Sequence, residues 1–168
     1  MYKFLLFFVM LACLGAYPAF AADSGDYSNP QLGDDINKST LLDGGFMVSP
    51  TNEPGFEDVS CYYVTDYTLV IENTPINCYM FLGYKRDHLC FIMYRILSTE
   101  MSYAMVRRDT VSKYSEFVPS VNTTDIILWV DMVSNCLMVQ NYQEDENTQV
   151  SRIMMFNGEM AKALGWVE

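Results

Sequence analysis

The chain has 168 residues and a formal net charge of −11, because 21 acidic residues outnumber 10 Lys and Arg residues. This length suits a single domain whose core is large enough to hold a small ligand. The acidic balance excludes nucleic acid and anionic membrane surfaces as expected partners, because both are bound by concentrated Lys and Arg.

The N-terminal residues have the pattern of a secretory signal peptide. Lys3 precedes an apolar run over residues 4–14, and Ala19-Phe20-Ala21 then supplies a small-x-small cleavage site. The run is about eleven residues long, short of the roughly 20 that span a bilayer, so an uncleaved membrane anchor is the less favoured alternative. We therefore predict a signal peptide over residues 1–21 and a secreted, extracellular domain over residues 22–168.

The first part of the predicted domain, residues 22–59, is rich in Asp, Gly, Ser, Asn and Pro. Asp34 or Asp35 can cap a short helix that runs through about Leu42. The apolar triplet at residues 46–48 can then begin a first strand. We expect this part to be a polar entry segment with few core residues.

From Cys61 onward the composition indicates strands, because Tyr, Thr, Val and Ile suit a pleated, half-buried surface. Gly83 is the predicted site of a bulge. Asn157 can cap a short C-terminal helix that Gly165 ends. Short strands with tight connections favour a sandwich or a barrel. The predicted strands are residues 62–72, 78–84, 89–97, 101–107, 125–133, 136–142 and 150–156, with the third and fourth forming a hairpin around residues 98–100 and turns at residues 73–77 and 85–87.

Both faces of the predicted strand over residues 125–133 are apolar. One face carries Leu128 and Val130, and the other carries Trp129 beside Asp131. A strand with one solvated face would alternate more cleanly. This pattern fits a barrel whose outside packs on a helix and whose inside is lined for a ligand, and it fits a sandwich core nearly as well.

Four cysteines and two glycosylation sequons remain after signal cleavage. An even number of cysteines in a secreted chain predicts two disulfides, and spacing leaves all three connectivities open. The sequons Asn37-Lys38-Ser39 and Asn122-Thr123-Thr124 predict exposed, glycosylated loops. The cysteines concerned are Cys61, Cys78, Cys90 and Cys136.

The sequence offers little that indicates catalysis. His88 is the one histidine, and no phosphate-binding loop, dinucleotide turn or H-E-x-x-H motif accompanies it. The acidic runs lie in polar stretches, where solvated charge is the simpler interpretation. We expect no enzymatic activity, no cofactor and no bound metal.

A binding hypothesis follows from strand alternation. It places Tyr62, Asp66 and Glu72 on one face of a strand, and Trp129 and Asp131 on one face of another. Acids inside an aromatic-lined interior need a cationic partner, and an amine would supply the charge and a cation–π contact. The alternative is that these acids lie on the outer face in contact with water.

Several segments resemble the salivary lipocalins of ticks, the family of the histamine-binding proteins. Residues 41–48 (LLDGGFMV) and 53–61 (EPGFEDVSC) are similar to the start of that family, where a short helix, an apolar strand and an acidic-Pro loop precede a cysteine. Residues 126–139 resemble its later hairpin, in which an apolar strand with an acid is followed by a cysteine. Residues 164–167 are similar to its Trp-containing terminal segment.

The resemblance implies a mainly β fold, namely an eight-stranded antiparallel lipocalin-like barrel with a short N-terminal helix and a C-terminal helix. It implies a secreted carrier that captures a host mediator stoichiometrically in the barrel cavity and so suppresses host defence. The mediator would be a biogenic amine such as histamine or serotonin, or a lipid. Two alternatives stay open: a secreted module that binds a host protease, complement factor or chemokine, and a structural β-sandwich domain.

Overall fold

The structure is a computed structural model that describes residues 30–36, 46–48, 56, 58–130 and 135–165. Within this part of the chain, eight strands form one antiparallel sheet, accompanied by two helices. The strands are β1 (Phe46–Val48), β2 (Val59–Ile71), β3 (Thr74–Lys85), β4 (His88–Leu97), β5 (Val121–Asn122), β6 (Ile126–Trp129), β7 (Asn135–Gln143) and β8 (Gln149–Asn157), and the helices are α1 (Tyr103–Lys113) and α2 (Gly158–Ala163).

The strand order is β1-β2-β3-β4-β8-β7-β6-β5, so the sheet consists of two four-stranded meanders. They meet where β4 pairs with β8 over seven residue pairs, from Phe91↔Phe156 to Leu97↔Val150. The expected closed lipocalin-like barrel is not confirmed, because among the described residues β1 and β5 end the sheet and do not pair with each other. The sequence predicts β-rich, antiparallel structure, and that coarser expectation is confirmed.

Helix α1 replaces a predicted strand. Residues 101–107 were expected to form a hairpin with β4, and that prediction is wrong: α1 begins after the extended residue Ser102 and runs to Lys113. Val106 and Thr110 are its buried residues, spaced by one helical turn. The helix carries the chain away from β4 to the far end of the sheet, which leaves the edge of β4 available to β8.

Two tight turns build the first meander. Glu72 and Asn73 connect β2 to β3 with φ of 48° and 63°, and Arg86 and Asp87 connect β3 to β4 with φ of 51° and 64°. Two consecutive positive φ values are the signature of the type I′ hairpin turn. The turn at residues 85–87 confirms the prediction, whereas Pro75 lies within β3 and not in a turn.

Several local predictions are confirmed in their positions. The strand at residues 46–48 forms, and the register of β3 with β4 shifts next to Gly83 as expected for a bulge. Asn157 caps α2, because its side-chain oxygen accepts a hydrogen bond of 2.9 Å from the Met160 amide. Gly165 follows α2 with φ of 72°.

The N-terminal helix predicted through Leu42 lies mostly outside the described residues. Where the chain is described, residues 30–36 run beside the start of β4. Asp35 forms an isolated antiparallel bridge with His88, and the Leu89 amide donates to the Asp34 carbonyl at 2.8 Å. This segment covers the part of β4 that β8 does not reach.

Each face of the sheet has its own apolar cluster, and each cluster has its own helix. The face that α1 covers, here the α1 face, buries Val64, Ile92 and Trp129 among others. The opposite face, here the α2 face, buries Phe91 and Phe156 against α2 and Phe56. The two apolar sides predicted from the strand pattern therefore reflect packing on both sides of one sheet.

Candidate functional site

The candidate site is a cavity of about 230 Å³ between α1 and the sheet. Its walls are mostly apolar residues of the α1 face, and α1 contributes Asp109, Thr110 and Lys113. The hydroxyl of Thr110 already donates to the Val106 carbonyl at 2.8 Å, so it is committed within the helix. The sheet side of the wall includes Ile71, Tyr94, Leu137, Ile153 and Met155.

A second cavity of about 260 Å³ adjoins the first one along the same face. Tyr114, Leu137 and Met155 line both cavities, so these three side chains form the partition between them. The rest of the second cavity's wall consists of Leu32, Phe117, Asn135 and Cys136. Each space is below the usual size of a ligand pocket, and together they reach the lower part of that range, about 300–1,000 Å³.

Charged residues hold α1 at the rim of the cavity. The Arg108 guanidinium binds the Glu72 carboxylate through two nitrogens, with the second contact at 2.7 Å. The Asp109 carboxylate accepts a 3.0 Å hydrogen bond from the Glu72 amide and lies 2.7 Å from the Lys113 ammonium. Hydrogen bonding from Arg108 lowers the pKa of Glu72. Both rim carboxylates are therefore already paired with a cation.

The two predicted aromatic residues lie on the α1 face but outside the cavity walls described above. Tyr62 is half-buried, and its ring meets Tyr84 edge-on at 5.7 Å between centroids. Trp129 is buried and donates its indole N–H to the Phe117 carbonyl at 3.2 Å. Both residues belong to the same core cluster, so they pack beside the site and do not line it.

The predicted acids do not form an amine cage in the described part of the chain. Asp66 is exposed, with φ of 57°, where the pairing of β2 with β3 shifts between Val64 and Tyr67. This irregularity breaks the alternation on which the prediction depended. Glu72 lies in the hairpin turn at the rim, and Asp131 lies outside the described residues.

The predicted disulfides do not form among Cys61, Cys78, Cys90 and Cys136, although all four residues are buried. Cys78 belongs to the cluster of the α1 face and the other three to the cluster of the α2 face, so the sheet itself separates Cys78 from them. The Cys90 thiol donates to the Gly83 carbonyl at 3.2 Å. Burial raises the pKa of Cys61 to about 11 and that of Cys78 and Cys90 to about 12.

The two sequons have different outcomes. Asn122 is exposed in β5, as a glycosylation site requires, and its amide oxygen accepts a hydrogen bond from Arg107. Glycosylation itself stays a prediction. Asn37 lies outside the described residues.

Sequence reasoning missed a charged cluster on the α2 face. Arg95 and Arg152 lie opposite each other in β4 and β8, and Glu144 contacts both. The available signal was an arginine inside each of two otherwise apolar strands, HLCFIMYRIL and QVSRIMMFN. Buried charged residues are rare in such strands, so each of the two arginines is a candidate site residue.

Comparison with protein-family models, with curated proteins and with solved structures finds no match to this chain. The resemblance to tick salivary lipocalins therefore stays a prediction. In the part of the chain that the structure describes, His, Cys, Asp and Glu side chains do not gather into a group of three that could hold a metal ion. Over the same residues, neither helix has the length and apolar character needed to cross a membrane.

Proposed function

We propose that this protein is a secreted carrier that takes up one small apolar molecule between α1 and the sheet. The observation that carries the proposal is the pair of adjoining apolar cavities of about 230 and 260 Å³ on the α1 face. The signal-peptide pattern and the lipocalin resemblance support sequestration of a host mediator in an extracellular fluid. Such a carrier acts by stoichiometric capture, without turnover.

The chemistry of the walls favours a lipid-like ligand over an amine. Most wall residues of the cavity are apolar. The polar ones are Tyr94, Thr110 and Tyr114, together with Asp109 and Lys113, which pair with each other at the rim. Tyr94 is hydrogen bonded to Tyr67, and burial raises the pKa of both phenols, so both stay neutral at physiological pH. A buried ammonium group needs an ionised partner. The acids at the rim, Glu72 and Asp109, already have Arg108 and Lys113.

Helix α1 supplies the entrance. A third cavity of about 420 Å³ lies outside the first one, and the two share Leu69, Val70, Asp109 and Lys113. At this end α1 is held to the β2–β3 hairpin by the exposed ion pair of Arg108 with Glu72 and by the hydrogen bond from the Glu72 amide to Asp109. Exposed ion pairs contribute little, so α1 can separate from the hairpin at low cost. A ligand would enter by that route and be covered when these contacts form again.

The test is titration with the neutral apolar dye N-phenyl-1-naphthylamine, followed by its fluorescence, with histamine and serotonin as competitors. We expect one dye per chain and no displacement by either amine. Met155→Trp should weaken dye binding strongly, because residue 155 lines both cavities and the bulkier indole narrows both of them.

Val118→Trp is the matched control, since residue 118 is 87% exposed and adds the same ring outside the site. Circular dichroism should show that both variants are folded. Absence of dye binding by the unmodified protein would refute the proposal. Equal binding by the Met155→Trp variant would place the dye elsewhere and refute the site, and displacement by serotonin would restore the amine alternative.

A further inference from the structure

We propose that the α2 face carries a second site, in which Arg95 and Arg152 form a seat for the carboxylate of an amphipathic ligand. In this structure the loop residue Glu144 occupies the seat. The site is separate from the cavities under α1, because it lies on the opposite face of the sheet.

The register of the sheet brings the two arginines together. Arg95 of β4 is directly opposite Arg152 of β8, and in an antiparallel pair such side chains project from the same face. Like charges in this position repel, so the fold gains nothing from the pair unless an anion lies between them. The carboxylate of Glu144 fills that position.

Glu144 contacts the arginines as a ligand carboxylate would. Arg95 donates to one carboxylate oxygen at 3.2 Å and to the other through a second nitrogen, which is the two-pronged geometry that arginine offers to carboxylates. The Arg152 guanidinium approaches the first oxygen at 3.8 Å. One carboxylate is therefore shared between two guanidinium groups.

Tyrosine rings fix both guanidinium groups in place. Arg152 lies 3.7 Å above the Tyr142 ring centroid, and Arg95 lies 5.2 Å from the Tyr79 centroid. Tyr63 stacks on Tyr79 with an angle of 8° between the ring planes. Each cation therefore has an aromatic face that orients it independently of the carboxylate, by a cation–π attraction of about 0.5–2 kcal/mol.

The burial of the pair indicates a role beyond stability. Arg152 is only 1% exposed, and burial lowers its pKa to about 10, so it is still charged at neutral pH. Taking charges out of water is costly, and apolar side chains of similar size usually serve a fold as well or better. Arg95 and Glu144 keep 17% and 13% of their side chains exposed, so the seat is accessible from solvent.

The neighbouring residues define the rest of the ligand. Met93 and Met154 lie two positions from the arginines, on the same face, and both are buried in its apolar cluster. Tyr63 and Met138 pack against this cluster and are only partly buried, so they offer an apolar surface on the same face. Two further acids interact electrostatically with residues of this cluster, Asp66 with Tyr63 and Asp145 with Arg95. Both acids are exposed to solvent. The Asp145 carboxylate also accepts hydrogen bonds from the amides of Asn147 and Thr148. A carboxylate with a hydrocarbon tail matches this arrangement.

Glu144 can leave without unfolding the sheet, because it lies after the end of β7 in the connection to β8. Its backbone amide stays bonded to the Thr148 carbonyl at 2.9 Å, so rotation of the side chain alone vacates the seat. Glu144 thus competes with the external carboxylate and weakens its binding.

The test is calorimetric titration with octanoate, with octan-1-ol as the neutral analogue of equal chain length. We expect Glu144→Gln to tighten octanoate binding about tenfold, because it removes the competing charge and keeps the side-chain size. Glu146→Gln, an exposed change in the same loop, should leave the affinity unchanged. Arg95→Gln should weaken octanoate binding about tenfold or more.

Octanol should bind more weakly than octanoate to the unmodified protein and to the Glu144→Gln variant, and this difference should shrink in the Arg95→Gln variant. The Met155→Trp variant, whose change lies on the other face, should bind octanoate like the unmodified protein. Equal affinity of the Glu144→Gln variant and the unmodified protein for octanoate would overturn the inference. The inference would also be overturned if octanol bound as tightly as octanoate. Loss of octanoate binding in the Met155→Trp variant would overturn it as well, because that result would place the ligand on the α1 face. Thermal unfolding of each variant verifies that the change in affinity is not a loss of fold.

Discussion

Replacing Gly83 with Ala should destabilise the sheet, because the added methyl group has no room. A Cβ at this position would lie 3.0 Å from Val59 Cγ1 and 3.1 Å from the Phe91 Cβ, whereas ordinary contacts are 3.4 Å or longer. Gly83 is in β3, between its partners Cys61 in β2 and Phe91 in β4. Neither neighbouring strand can move away without disturbing its own packing.

The expected magnitude follows from two opposing effects. Overpacking of a core costs about 1–3 kcal/mol. Replacing Gly by Ala recovers about 0.4–1 kcal/mol, because the unfolded chain loses conformational freedom. The net loss is about 1–2 kcal/mol of unfolding free energy, which corresponds to a Tm lower by roughly 3–8 °C in a domain of this size.

The assay is urea unfolding followed by circular dichroism, with Val59→Ala as the partner in a double-mutant cycle. Val59→Ala removes one of the two close contacts, so Gly83→Ala should cost less in that background than in the unmodified chain. If the unfolding free energy of the Gly83→Ala variant equals or exceeds that of the unmodified protein, the steric argument is refuted. Equal cost in both backgrounds would show that Val59 is not the obstacle.

Two further predictions concern buried polar groups. Trp129→Phe should lower the unfolding free energy by about 1–3 kcal/mol, because the Phe117 carbonyl loses its 3.2 Å donor; an unchanged urea midpoint would contradict this. The buried thiols of Cys61 and Cys78 have pKa values raised from 9.0 to about 11 and about 12, so above pH 9 the unfolded state releases protons that the folded state retains. Stability should therefore fall between about pH 9 and 11, and Cys78→Ala should flatten that decline; the same slope in both proteins would contradict the assignment.

Local patterns identified most of this sheet because they depend on neighbours in the chain. The strand at residues 136–142, the turn at residues 85–87 and the Asn157 cap each follow from side-chain chemistry within a few positions. The α1 region could not be predicted in this way, since Tyr103 and Val106 suit a strand as well as a helix. In the helix, Arg108 and Asp109 bind Glu72 of the β2–β3 hairpin. No local sequence pattern indicates a contact between residues so far apart in the chain.

The site was less predictable than the fold because it depends on which strands are neighbours. Alternation predicts Tyr62 and Asp66 on one face of the strand, but the irregularity after Val64 interrupts it, so that Tyr62 packs on the α1 face and Asp66 is exposed. The meeting of Arg95 with Arg152 depends on the pairing of β4 with β8, which sequential order does not indicate. The residues alone thus indicated apolar character on both faces of the strands but did not indicate the charged cluster of Arg95, Arg152 and Glu144.

The pairing of β4 with β8 has a consequence for how the protein folds. Its partners, such as Arg95 and Arg152, are about 57 positions apart in the chain, so closing it requires ordering a long loop. The first meander can assemble from adjacent hairpins during synthesis, whereas its β4 edge waits until the last strand has emerged. Until then that edge is open to the wrong partner, and a nascent chain stalled before residue 149 would be the form most prone to aggregate.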